Sequence, residues 1–165
     1  MGDLNSLEDL FYHQLRDIYN AEQQLIKALP TMAENSSNKE LKSAFQEHLE
    51  ETVIQKERLD EIGESLGVEL NGETCHAMQG LIEEAEDFVS RNPDPEVLDA
   101  GIIADAQRIE HYEIAAYGTA VTYAKSLGYN DAAKKLQLTL DEESEADLTL
   151  NEIAIEQVNL SAKTV

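Results

Sequence analysis

Seven polar side chains stand at or beside positions where the helical pattern of this 165-residue chain calls for apolar core residues. Glu22, for example, follows Ile18 by four positions and precedes Leu25 by three, so it points inward with them. The seven residues are Glu22, His48, Glu51, Glu110, Glu113, Glu143 and Asp147. Carboxylates with one imidazole suit iron or manganese, so the set predicts a metal site.

The electrostatics of such a set favour a bound cation. Each of the four long segments of the chain would place at least one carboxylate near the middle of its apolar face. Buried carboxylates that are neither paired nor neutralised carry a desolvation cost of several kcal/mol each. The basic residues Lys56, Arg58 and Arg108 fall off the apolar faces, so either protonation or divalent cations must relieve the charge.

Individually, these residues have simpler interpretations. A single inward Glu is often half-exposed, and a lone His48 is more often a hydrogen-bonded core residue than a ligand. Glu51 competes with Thr52 for the inward position of its turn. The coincidence across four segments is what favours a metal site. Tyr19 and Tyr117 each stand within one turn of such a carboxylate, where they would either bond to it or line the core edge.

The other histidines and the cysteine are predicted to lie outside the site. His13, His76 and His111 are interpreted as surface, connector or outer residues, and Cys75-His76 as a short connector. A single cysteine cannot form an internal disulfide, which favours a reducing, cytoplasmic location.

Five helical segments would position these side chains. We predict helices from about 4 to 30, 37 to 66, 74 to 90, 95 to 127 and 130 to 160. Pro30 should end or kink the first, with one further turn to Ala33 as the alternative. Ser37 and Glu40 match a capping box, Gly67 a left-handed stop, and Asp94 and Asn130 helix caps.

Four long helices with one apolar face each pack best as a bundle. The short segment falls in the crossover between the second and third long helices, which is the ferritin-like arrangement. We therefore predict an all-α, single-domain, ferritin-like four-helix bundle over residues 1–165, with a short fifth helix in the crossover.

The charge of the chain excludes some partners. It has 34 acidic and 12 basic residues, for a formal net charge of −22. Such a surface repels nucleic acids and anionic membranes and attracts cations. No apolar run approaches the roughly 20 residues that span a bilayer, so we expect neither nucleic-acid nor membrane binding.

Four motifs carry a resemblance to a known family. They are Asp17–Leu25 (DIYNAEQQL), His48–Thr52 (HLEET), Glu110–Ile114 (EHYEI) and Leu140–Asp147 (LDEESEAD). The chain resembles the YciE/YciF family of bacterial stress-associated proteins, nearly from end to end. The resemblance implies a ferritin-like bundle, a homodimer and a candidate di-iron centre, without specifying an activity.

The related rubrerythrins and bacterioferritins use one Glu from each of two helices and Glu-x-x-His from the other two. By resemblance, Glu22, Glu51, Glu113 and Glu143 match these four glutamates, and Glu110 resembles the extra carboxylate of rubrerythrin.

The sequence also departs from that pattern. Ile54 and Ala146 stand where the two histidines would be, whereas His48 precedes Glu51 by three positions. The predicted site is therefore poorer in histidine and richer in carboxylate than the sites of those relatives.

Two functional hypotheses follow. The first is a stress-associated metal-binding protein with a dinuclear iron centre, or one of manganese, that oxidises Fe(II) or consumes peroxide or dioxygen. The alternative is a metal-free dimeric structural or interaction protein on the same fold, which the missing histidines favour. A storage cage like that of ferritin is the weaker third interpretation.

Overall fold

A computed structural model describes residues 4–164 and shows a helical bundle. Within that range there is no β-strand, as the all-α prediction requires. The helices are α1 (Leu7–Asn35), α2 (Lys39–Leu66), α3 (His76–Ser90), α4 (Pro95–Leu127), α5 (Asn130–Ile153) and α6 (Asn159–Ala162), with a π-helical turn at Ala154–Val158 before α6. The predicted four long helices with a short one in the crossover are confirmed.

The long helices form two hairpins that pack face to face. α1 packs against α2, and α4 packs against α5. The hairpins meet where α1 contacts α4 and α2 contacts α5, while α3 lies against α4 and α1. Each long helix therefore has two long neighbours, and its apolar face points to a shared centre.

The first helix passes through its proline. Ser6 caps α1 by accepting a hydrogen bond from the backbone N–H of Asp9 at 3.0 Å, so the helix begins at Leu7 rather than Leu4. Pro30 does not end the helix: the alternative of a further turn through Ala33 holds, and α1 continues to Asn35. Pro30 is exposed, while Leu29 and Ala33 on either side are buried, and their packing outweighs the lost backbone bond.

The predicted Ser37–Glu40 capping box is wrong. Asn38 is the N-cap of α2, because its side-chain oxygen accepts hydrogen bonds from the backbone N–H groups of Glu40 at 2.9 Å and Leu41 at 3.0 Å. Ser37 instead donates its backbone N–H and its hydroxyl to Asp99 of α4. A tertiary partner thus takes the residue that the local motif assigned to the cap.

Other helix ends lie close to their predicted positions. Gly67 ends α2 in the left-handed region with φ of 68°, as predicted. Pro95 opens α4, although the Asp94 side chain makes no capping bond. Asn130 was predicted to cap α5 but is its first residue, preceded by Tyr129. The last helix changes to a π-helical turn at Ala154 instead of running unbroken to Leu160.

The core consists of two apolar clusters. One includes Leu25, Phe45, Ile109 and Leu150, and lies toward α3. The other includes Ile18, Leu59, Tyr117 and Leu136. No helix among residues 4–164 is long and apolar enough to span a bilayer.

Candidate metal centre

A polar layer lies between the two apolar clusters. On each long helix the polar residue falls between one member of each cluster, so helical spacing places all of them at the same level of the bundle. The fully or almost fully buried members are Glu22 on α1, His48 on α2, Glu110 and Glu113 on α4, and Glu143 on α5. Glu22 and Glu143 expose no surface at all.

Four of these residues come close enough to share an ion. One ligand atom from each of His48, Glu110, Glu113 and Glu143 lies within 4.8 Å of the other three. Glu22 is the neighbouring fifth residue and the fourth carboxylate, and it interacts electrostatically with Glu143 and Glu113. All five were predicted as site residues from the sequence.

The layer is short of hydrogen-bond donors. Within residues 4–164, the buried side-chain atoms without a hydrogen-bond partner all belong to this layer and to the adjoining Gln55. They include both carboxylate oxygens of Glu113 and of Glu143, one oxygen of Glu22 and of Glu110, and both ring nitrogens of His48. Buried polar atoms are normally paired, so their concentration at one level makes this layer a candidate cation site.

His48 lies at the centre of the charges. Its Nε2 is 3.4 Å from Oε1 of Glu110 and 3.8 Å from Oε2 of Glu143. Its Nδ1 is on the other side, 3.6 Å from Oε2 of Glu51. Nε2 is therefore the nitrogen available to a metal, and Nδ1 the one available to an orienting carboxylate.

Glu22 is held by a tyrosine from the facing helix. The hydroxyl of Tyr117, which is wholly buried, donates a short hydrogen bond to Oε1 of Glu22. This leaves Oε2 of Glu22 unpaired. Tyr117 was expected within reach of Glu113 on its own helix, but it bonds to Glu22 instead, and both oxygens of Glu113 are without a partner. Tyr19 makes no such bond and lies below the ammonium group of Lys56.

Two predicted residues lie at the edge of the layer. The prediction that Glu51 points into the core is wrong, because its side chain is 50% exposed and Thr52 occupies the buried position of that turn. Asp147 is 19% exposed and accepts a hydrogen bond from Gln107 at 3.1 Å. The buried candidate metal ligand on α2 is therefore the imidazole of His48, while α1, α4 and α5 provide the carboxylates.

Sequence reasoning missed an ion pair beside the layer. Arg58 donates to both carboxylate oxygens of Glu142, at 2.5 and 2.7 Å, and Gln55 donates to the same carboxylate at 3.2 Å. Burial alone would raise the pKa of Glu142, but these hydrogen bonds outweigh it and lower the pKa. Arg58 is thus already paired with Glu142, and among the described residues no Lys or Arg forms a salt bridge with the carboxylates of the layer.

A second polar network lies beside the crossover. Tyr112 donates a short hydrogen bond to Asp17, and its hydroxyl is 2.9 Å from Sγ of Cys75. Cys75 is buried at the start of α3, as the connector interpretation implies, and His76 is exposed. His111 is 68% exposed, with Nε2 3.5 Å from Asp147, and His13 lies 3.9 Å from Glu73.

The burial of these groups shifts their protonation strongly. Desolvation, the charge of Glu143 and other nearby carboxylates raise the pKa of Glu22 to about 8, although the Tyr117 bond opposes this. Desolvation also raises the pKa values of Glu110 and Glu113 well above the usual range. Burial would lower the pKa of His48, but Glu110 and the other carboxylates outweigh it and raise it to about 10.

These shifts show what the layer can do chemically. Glu22, Glu110 and Glu113 hold protons that a divalent cation could displace, because burial raises their pKa values. His48 gains a proton for a different reason, since the neighbouring carboxylates raise its pKa. The layer can therefore exist in a protonated, self-neutralised form or bind cations in place of those protons.

Comparisons with known proteins agree with the fold and the motifs. A family described as "Domain of unknown function (DUF892)" matches residues 6–163. The protein YciF of Escherichia coli (strain K12) is 47% identical over 162 residues, which cover 98% of both chains.

Solved structures extend the likeness to three dimensions. The crystal structure of the E. coli stress protein YciF matches with a TM-score of 0.91 and 48% identity, covering 94% of this chain and 99% of that one. YcfI of Rhodopseudomonas palustris, a proposed structural protein, matches with a TM-score of 0.88 and 48% identity, covering 90% and 95%. A Xanthomonas campestris protein at 23% identity shares the fold, with a TM-score of 0.75.

Proposed function

The chain belongs to the DUF892 family, together with E. coli YciF, and from its buried polar layer we propose that it is a stress-associated protein that binds a pair of divalent metal ions. Iron is the leading candidate and manganese the second. The observation that carries the proposal is the set of unpaired buried oxygen and nitrogen atoms that converge from four helices. Among residues 4–164, His48 is the only basic side chain that forms a salt bridge with the carboxylates of the layer, and no Lys or Arg does.

The donor set fits this pair of ions. Glu22, Glu110, Glu113 and Glu143 would hold the metal with Nε2 of His48, and Glu51 and Asp147 lie one step further out. When ionised, the four buried carboxylates balance two divalent cations, so the loaded layer would be neutral beside a neutral imidazole. Oxygen donors with one imidazole suit Fe(II) and Mn(II) better than Cu or Zn.

The residues around the layer would prepare it for redox chemistry. Bound iron would supply the capacity to pass electrons to dioxygen or peroxide, with Fe(II) oxidised in the process. Tyr117 fixes the direction of Glu22, and Glu51 faces the nitrogen of His48 that points away from the layer. The apolar clusters on both sides exclude water from the carboxylates, which strengthens their hold on a cation.

Metal analysis of the protein purified without chelators tests this proposal. We expect iron or manganese, and roughly two ions per chain after anaerobic loading with Fe(II). Glu113→Gln should lose most of the bound metal, because both of its oxygens face the layer without a partner. The matched control is Glu57→Gln, an exposed glutamate of α2 that should bind as the wild type does. Binding that survives Glu113→Gln, or no binding at all, would overturn the proposal.

A metal-free structural role is the second candidate. The raised pKa values of Glu22, Glu110 and Glu113 favour it, since protonated carboxyls need no cation. In that case the protein would contain no metal, and the double variant Glu113→Gln with Glu143→Gln would keep every property of the wild type while gaining stability. A metal-binding protein would lose its ions in the same variant.

The homodimer and the cytoplasmic location remain predictions. Light scattering coupled to size-exclusion chromatography measures the first: twice the 18.4 kDa chain mass is expected, and a monomer would contradict it.

A further inference from the structure

A cleft between α2 and α5 leads from the surface to the polar layer. It has a volume of about 280 Å³. His48 and Glu110 form its inner end, and Ala44 and Ala146 are the small side chains on either side. Because alanine extends no further than Cβ, these two positions leave the space between the helices open.

The inner end of the cleft presents unpaired polar atoms. His48 is 6% exposed and Glu110 is 2% exposed, and both nitrogens of His48 and Oε2 of Glu110 have no hydrogen-bond partner. Both residues belong to the set whose ligand atoms lie within 4.8 Å of one another. A cation that reached this end would thus meet the first ligands of the layer directly.

The outer part of the cleft is strongly acidic. Glu47, Glu51 and Glu145 line it near the surface, and Glu142 is held by Arg58. A second groove of about 340 Å³ shares Ala44, Glu47 and Thr149 with the cleft and adds Glu40, Glu152 and Glu156. Of the described residues that line either space, none is Lys or Arg.

We propose that the α2–α5 cleft is the entry route by which divalent cations reach the buried layer, with Glu47 and Glu145 as the recruiting carboxylates. The proposal rests on the metal-binding function proposed above. A narrow acidic cleft with apolar walls concentrates cations at its mouth and raises their association rate by roughly 10- to 1000-fold, an effect that weakens with ionic strength. His48 would then accept the ion through Nε2 at the inner end.

Closing the cleft should slow loading without changing how much metal is bound. We would mix the metal-free full-length protein with Co(II) in a stopped-flow instrument and follow the visible absorption of the bound ion. Ala146→Leu should lower the loading rate by roughly tenfold or more, with stoichiometry unchanged. The matched control is Ala28→Leu, which adds the same side chain in a groove between α1 and α3 and should load at the wild-type rate.

Removing the outer charges tests the same route without adding volume. Glu47→Gln combined with Glu145→Gln should lower the rate severalfold at low salt and flatten its dependence on ionic strength. The control pair Glu57→Gln with Glu64→Gln removes the same charge from exposed positions of α2 outside the cleft and should have a much smaller effect.

The possible results distinguish a wrong entry route from a wrong metal centre. If Ala146→Leu and the double variant Glu47→Gln with Glu145→Gln bind as much Co(II) as the wild type and at the same rate, the entry route is wrong. The proposed metal centre would not be affected by that result. Absence of Co(II) binding by the wild type would overturn both. If Ala146→Leu fails to fold, Ala44→Leu closes the cleft from the α2 side, and the charge pair decides independently of either.

Discussion

The buried carboxylate of Asp99 and the buried glutamates of the polar layer differ in how many hydrogen-bond donors surround them. Asp99 of α4 is 3% exposed, and it accepts hydrogen bonds from the backbone N–H of Ser37 at 2.8 Å, the hydroxyl of Ser37 at 2.6 Å and the backbone N–H of Asn38 at 2.9 Å. It thereby attaches the start of α2 to α4. All of its polar partners come from the chain itself.

The glutamates of the polar layer are equally buried but lack such partners. Glu113 and Glu143 have no hydrogen-bonded oxygen, and Glu22 has one. The contrast teaches that burial alone does not distinguish a structural carboxylate from a ligand. What distinguishes them is whether the fold supplies the donors, since an unsatisfied buried group is too costly to retain without a use.

The largest expected effect is the response to metal. Loading the apo protein with Mn(II) at a thousandfold excess over its dissociation constant should raise the free energy of unfolding by about 4 kcal/mol per ion. The melting temperature should rise by roughly 10 °C for each ion bound, measured by calorimetry. Asp99→Asn serves as the control and should show the same rise. If the melting temperature does not change when metal is added, the glutamates of the layer are not metal ligands, and they do not differ from Asp99 in that respect.

The next effect is the loss of the satisfied carboxylate. Asp99→Ala should lower the free energy of unfolding by about 3 kcal/mol, because it leaves the buried donors of Ser37 and Asn38 without their acceptor. Urea denaturation measures this loss, which should be the same with and without metal. A change in metal stoichiometry in Asp99→Ala would show that the two groups are coupled.

The third effect is the pH dependence of the apo protein. Between pH 4.5 and about 8, folded Glu22 retains a proton that the unfolded chain has released, so stability falls as pH rises. His48, whose folded pKa is raised from 6.5 to about 10, stabilises fully below pH 6.5 and loses that contribution as pH rises toward 10. From pH 6 to 8 the Glu22 contribution alone amounts to about 2 to 3 kcal/mol.

Melting curves at pH 6, 7 and 8 check this dependence. In the metal-loaded protein the fall should disappear, because bound cations replace those protons and their affinity rises with pH. An apo protein that becomes more stable from pH 6 to 8 would contradict the pKa shifts.

The smallest expected effect is a change in the free energy of unfolding that has opposite signs for a glutamate of the layer and for Asp99. Glu113→Gln in the apo protein at pH 8 should raise the free energy of unfolding by about 1 kcal/mol, because folded Glu113, with its raised pKa, must bind a proton that the unfolded chain has released, whereas an amide needs none. Asp99→Asn should lower it under the same conditions. Urea denaturation measures both changes. If both substitutions change the free energy of unfolding in the same direction, the carboxylates of the layer have partners other than metal.

The sequence alone determined the helices and most of the polar layer. Apolar residues at steps of three and four predict both where a helix runs and which side is buried, and this local rule correctly placed Glu22, His48, Glu110, Glu113 and Glu143. It also located the ends marked by Gly67 and Pro95, because left-handed and proline-fixed backbones are properties of single residues.

Only the tertiary structure decided between neighbours on a helix and between partners across helices. Glu51 and Thr52 are about 100° apart, and packing of α2 against α1 and α5 turned Thr52 inward. The bond from Ser37 to Asp99 and the pairing of Arg58 with Glu142 join residues more than 60 positions apart. Helical periodicity describes one helix at a time, whereas these choices depend on how each helix is rotated against its neighbours, which no local spacing specifies.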